Sequence, residues 1–272
     1  MVLESLINPF SAEKRPWEML FIGFLYSTIA LFLARWIFSQ YAGLVMVFLT
    51  VAACIPLMYS TIKMEEEKDV KIRDEGLLLK EHWRALSFFV FLFIGITLSF
   101  TLWYMVLPQS LSQQTFAIQS ETISSINNSV TANAANFSYF IRIVLNNVKV
   151  LVFCILFSFL YGAGSIFILT WNGSVIATAI GKFIQSGAAT STIYHAAPLG
   201  LLRYLLHGIP EILAYFVAGL AGGIISFAVI NHDFGSDKFQ RILLDSTDLL
   251  LISFLIILGA GFVEAYITPL LF

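Results

Sequence analysis

Side chains able to do chemistry are scarce in this chain, and few of them lie inside its apolar runs. The most conspicuous group is His207-Gly208-Ile209-Pro210-Glu211. His207 and Glu211 are four residues apart, so on a helix they share a face. Glu264 is a second acid within an apolar run, with Thr268 one turn further on, and Asn146-Asn147 lies in an earlier run. An acid at membrane depth is costly, so each reads first as a functional group with a partner. Three chemistries fit these types. Glu211 can cap its own helix, where an acid at the N-terminus is favoured, while Glu264 bonds Asn or His across helices as interhelical glue. The carboxylates can instead line a path for a solute, an ion or a proton. Or His207, Glu211 and Glu264, with His195, can hold a metal with one open position for hydrolysis. No H-E-x-x-H pattern supports that third reading.

The elements that must position these groups follow from composition. Of 272 residues, 58% are hydrophobic and only 12% charged, against about 25% charged in soluble domains. Mean hydropathy is +0.86. These values indicate a polytopic membrane protein, and an all-α bundle satisfies its backbone in lipid. The net charge of −2, with no basic patch interleaved by aromatics, argues against nucleic acid. Cys54 and Cys154 lie inside apolar runs and read as buried thiols. No cofactor and no enzymatic activity are expected. Glu4 interrupts the first apolar run, so no signal peptide is expected either.

Taken in order, residues 1–16 read as an interfacial segment, with Val2, Leu3, Leu6, Ile7 and Phe10 at helical spacing. Residues 17–107 read as three spans, near 17–38, 42–62 and 85–107, with Pro56 kinking the second. The charged block 63–84 between the last two has mixed signs and reads as solvated cytoplasmic extensions of its helices, with His82 as an interfacial anchor. Residues 108–139 read as a polar extracytoplasmic loop, in which Asn127 and Asn136 fit the glycosylation pattern. The apolar run 137–171 exceeds one span, which places 137–146 at the interface and the start of the fourth span near Asn147. Asn147, Leu151, Cys154, Ser158, Gly162 and Ser165 then share a face.

Asn172-Gly173-Ser174 reads as a helix break, so 172–206 is expected to be a thin, broken or re-entrant segment. The sixth span runs near 208–230, with Pro210 in its first turn, and the seventh near 248–269. About seven spans result. Gly162, Gly164, Asn172, Gly173, Gly219, Gly222, Gly223 and Gly261 are the small or polar residues expected to let helices pack closely. Lysines and arginines gather before the first span, in 63–84 and at 238–241. This puts the N-terminus in the cytoplasm and, with seven spans, the C-terminus outside. Asn146, Asn147, His207, Glu211, Glu264 and Thr268 then meet in the outer half.

Asn146-Asn147, Gly162-Ala163-Gly164 followed by Asn172-Gly173, His207-Gly208-x-x-Glu211-x-x-Ala214 with Ala218-Gly219, and Gly261-Phe-Val-Glu264-Ala265-Tyr-Ile-Thr268-Pro269 agree in order and spacing with one family. Over residues 140–272 the chain resembles the stage II sporulation protein M family. The resemblance implies a multi-span cell-membrane protein. In spore-forming bacteria the family's member works in engulfment, as an anchor for envelope partners that degrade peptidoglycan rather than as the hydrolase. The family also occurs in organisms that do not sporulate, so the resemblance implies a general membrane scaffold. The expected partners are the lipid bilayer, an envelope protein and a second copy of the chain.

Overall fold

A computed structural model describes residues 15–72, 74–130, 137–161, 164–188, 193–231 and 235–271; for 75, 126–130, 161, 186–188, 193–205, 207 and 271 it describes the backbone only. Most of the described residues are helical, and none lies in a strand. The helices are α1 (Glu18–Ile37), α2 (Ala42–Lys71), α3 (Glu75–Val106), α4 (Gln109–Thr115), α5 (Ala117–Val130), α6 (Phe137–Tyr161), α7 (Ser165–Ala188), α8 (Ile193–Asn231) and α9 (Asp237–Phe262). A π-helical turn, Val263–Ile267, carries α9 into the short α10 (Thr268–Leu271). Seven stretches among them are long and apolar enough to cross a membrane. The all-α, seven-span expectation therefore holds.

The apolar stretch of α8 is the centre of the bundle. It is 78% buried inside the protein, against 28% for the first and last spans. It packs chiefly against α6 and α9, and also touches α2, α3 and α7. On the far side α1 lies along α3, and their crossing is set by two glycines. A Cβ on Gly23 would strike the carbonyl of Leu92, and one on Gly95 would strike that of Leu20. Here the backbones touch directly, which only the smallest residue permits. Thr28 and Ser99 bond between the same helices at 2.9 Å.

Several expectations are corrected. The apolar run 137–171 is two helices, and α6 begins at Phe137 rather than near Asn147. Its 25 residues reach about 37 Å at ~1.5 Å each, so the whole of it suits one crossing. The chain turns at Gly164, where a Cβ would collide with the Phe157 carbonyl. Asn172-Gly173-Ser174 does not break the helix; all three lie inside α7. Asn172 Nδ2 donates to the Ile168 carbonyl at 2.8 Å, and Ser174 Oγ donates to that of Trp171 at 2.7 Å. Both polar side chains are thus satisfied by their own helix. Gly173 lets α3 approach, with Phe93 and Thr97 about 3.1 Å from where its Cβ would be. Of the expected segment 172–206, the described residues belong to α7, up to Ala188, and to α8, from Ile193.

The polar stretch after α3 folds onto the bundle. Ser112, Thr115, Phe116 and Gln119 are fully or nearly fully buried. Arg35 donates to the Leu111 carbonyl at 3.2 Å and also bonds Thr115. Gln119 donates to the Gly43 carbonyl at 2.9 Å and to Ser174 at 3.3 Å. The interfacial segment expected at 1–16 lies almost wholly outside the described residues, as do Gly162 and Asn136.

Candidate functional site

Three helices bring the site together. Of the expected stripe, Asn147, Leu151, Cys154 and Ser158 are buried on α6, whereas Ser165 belongs to α7 and Gly162 lies outside the described residues. On α8, Glu211 is followed on the same face by the buried Tyr215 and by Gly219 and Gly222. These glycines set the distance between the helices. A Cβ on Gly219 would lie 2.5 Å from Ser165 Oγ, and one on Gly222 would lie 2.8 Å from the Ile155 carbonyl. On the α9 side, a Cβ on Gly261 would lie 3.0 Å from Val144. Gly223 is buried in the same stretch of α8.

Glu264 stands in the π-helical turn. The cause is local. Pro269 has no N–H and its ring crowds the carbonyl four residues earlier. The chain responds with a wider turn in which the Thr268 N–H reaches back five residues to the Val263 carbonyl. Thr268 Oγ1 donates to the same oxygen at 3.1 Å. The widened turn holds Glu264 against α8, and such turns recur at functional positions.

Asn147 Nδ2 donates to Glu211 Oε1. The Glu211 and Glu264 carboxyls bond one another. A carboxyl pair bonds only through a proton supplied by one member. Asn147, Glu211 and Glu264 are therefore one connected group drawn from three helices. Asn146 is exposed and takes no part, and Thr268 is buried but serves its own helix. His207 lies on α8 one turn before Glu211; its side chain and that of His195 are outside the described residues. Among the described residues no three His, Cys, Asp or Glu side chains are arranged to hold a metal.

Glu211 does not begin a helix. α8 starts at Ile193, so Pro210 and Glu211 sit deep within it and the capping role is withdrawn. Proline is tolerated inside a membrane helix because neighbouring groups satisfy the carbonyl it frees.

A second polar group, at the opposite end, corrects the reading of 63–84 as solvated. His82 on α3 lies between two acids of α2: Nδ1 is 2.8 Å from Glu65 and Nε2 is 3.0 Å from Asp69. All three are essentially inaccessible to solvent. The Glu65 contact is a hydrogen bond, whereas Nε2 faces the Asp69 carboxylate without forming one. Lys68 adds a 2.6 Å contact to Glu65 and a 3.5 Å contact to Glu81. The approach to Asp69 is off-line, which leaves both its oxygens without a well-formed hydrogen bond. A signal for this cluster was available in the sequence. The buried face of α2 runs through Cys54, Met58, Thr61, Glu65 and Asp69 at helical spacing. The stripe crosses into the charged block without interruption.

The sequence matches the profile of the family described as stage II sporulation protein M over residues 86–269. The match starts in α3, ahead of the segment that carries the motif resemblance, and includes Asn147, Glu211 and Glu264. An uncharacterised protein of Methanocaldococcus jannaschii is 31% identical over 160 residues, covering 53% of this chain and 84% of that protein. No solved structure matches. The chain belongs to the stage II sporulation protein M family.

Proposed function

We propose that this protein is a non-enzymatic scaffold in the cell membrane that anchors partners acting on the envelope or the membrane. The observation that supports it best is the mutual bonding of Asn147, Glu211 and Glu264. Polar groups that satisfy one another across three helices fix those helices in place, as interhelical bonds do in membranes. We place the N-terminus in the cytoplasm, following the lysine and arginine distribution. The folded α4–α5 segment then faces outward, and its exposed Gln113, Gln114 and Glu121 offer a partner-facing surface.

The test is a photo-crosslinking residue at Gln113 or Glu121 in native membranes, followed by mass spectrometry of the adducts. The scaffold reading expects one stoichiometric envelope protein at both positions. Lipid adducts alone at both would count against it. A second reading, a proton or ion path, draws on the two acidic groups at opposite ends of the bundle, one buried and one partly buried, and on the unsatisfied Asp69. Under that reading Glu264→Gln inserts normally but abolishes ion or proton flux in proteoliposomes.

A further inference from the structure

Between α3, α8 and α9 lies a groove that neither polar group uses. It has a volume of about 450 Å³. Its lining is almost wholly apolar: Leu79, Trp83 and Leu86 on α3, Leu213 and Val217 on α8, and Leu249, Ile252 and Ile256 on α9. At ~30 Å³ for a water-sized group, 450 Å³ holds about fifteen methylene-sized units. Lys80 is the one charged residue in the lining. It lies at the end of the bundle that carries the charged block, beside the exposed Trp83. At that same end Lys68, Lys71 and Arg84 are engaged with acids. Among the described residues Lys80 has no ion pair. An interfacial tryptophan beside a lysine on a long apolar stem is the usual membrane-boundary arrangement. The groove thus offers an apolar lining and one positive charge, on Lys80, without an ion pair among the described residues.

We propose that this groove binds one membrane phospholipid of the leaflet on the charged-block side, with a hydrocarbon chain along α3, α8 and α9 and its phosphate on Lys80. Two features favour this occupant over a protein helix. At about 450 Å³ the groove has room for one hydrocarbon chain, whereas a helix about 10 Å across would use up that volume in roughly one turn. Its sole charge complements a phosphate. Burial of successive methylenes supplies the affinity, and Lys80 fixes the depth.

The experiment is native mass spectrometry of the full chain released from mild detergent, after titration with phosphatidylglycerol or with phosphatidylcholine. The expected result is one retained phospholipid per chain. Ile252→Trp fills the groove from a position already more than a third exposed, and should cut retention at least fivefold. Lys80→Glu should do the same while leaving the melting temperature unchanged. Lys238→Glu, an exposed lysine outside the groove, should retain lipid as the wild type does. Stronger retention of phosphatidylglycerol would assign the site to anionic headgroups. Equal retention of both lipids, each lost in Lys80→Glu, would assign it to the phosphate alone. The proposal is overturned if no lipid is retained, if Ile252→Trp and Lys80→Glu both retain it fully, or if a second copy of the chain occupies the groove.

Discussion

Replacing Asn147 by alanine tests whether the carboxyl group is held together as described. Asn147 is buried and donates directly to Glu211. Removing a donor from a buried polar partner costs about 1–3 kcal/mol in soluble proteins. Between membrane helices the measured coupling is smaller, about 0.6 kcal/mol on average and roughly 1.7 at most. Glu211 is only partly buried and keeps its bond to Glu264, which argues for the lower range. A loss of about 1 kcal/mol corresponds to roughly 2–4 °C in melting temperature for a chain of this size class. The protein carries its own reporter. Cys54 and Cys154 are free and buried, so a thiol-reactive dye becomes fluorescent only as the bundle opens. Asn147→Ala, Glu211→Ala and the double variant, melted side by side, give the coupling between the two residues. A coupling of about 0.5–1.5 kcal/mol is expected. Zero coupling, with each single variant melting as the wild type does, would refute the proposed bonding.

Gly95→Val should lower the melting temperature by the equivalent of about 1–3 kcal/mol, because its Cβ would meet the Leu20 backbone, which cannot rotate away. Gly259→Val is the control: nothing lies within 4 Å of its Cβ, so its melt should not change. His82→Leu leaves Glu65 and Asp69 buried without their shared partner, at a cost of about 3–5 kcal/mol. Adding Glu65→Leu and Asp69→Leu to that variant should restore much of the loss in the same dye assay. Glu264→Gln keeps an amide able to donate to Glu211, so membrane insertion and melting should be near normal. Loss of cellular function in this variant despite normal folding would favour the ion-path reading over the scaffold.

The seven spans and the Asn147 to Ser158 stripe were legible because hydropathy and helical spacing are local signals. The meeting of Asn147, Glu211 and Glu264 was legible for a related reason: alternating spans bring the same halves of successive helices to one level. Errors arose where a local rule was outweighed by the neighbours. Asn172, Gly173 and Ser174 resemble a turn in isolation, but within the bundle the polar pair bonds its own helix and the glycine admits Phe93. Pro210 resembles a helix start, yet the helix continues on both sides of it. The charged block resembles a solvated surface by composition, and only the packing of α2 against α3 encloses His82 between two acids. Gly23 and Gly95 were not singled out, since a lone glycine in an apolar run gives no hint of the carbonyl it will meet. The π-helical turn at Glu264 depends on Pro269, whose effect falls on residues that precede it.

The length of α8 has a mechanical consequence. Its 39 residues form one helix of about 58 Å, nearly twice the ~30 Å thickness of a hydrocarbon core. No loop interrupts it between Ile193 and Asn231. Contacts with α6 and α9 hold this helix, and its backbone runs on from the Ile193 end to Glu211. A force applied at that end reaches Glu211 through helix alone and acts there as torque on the three-helix contact.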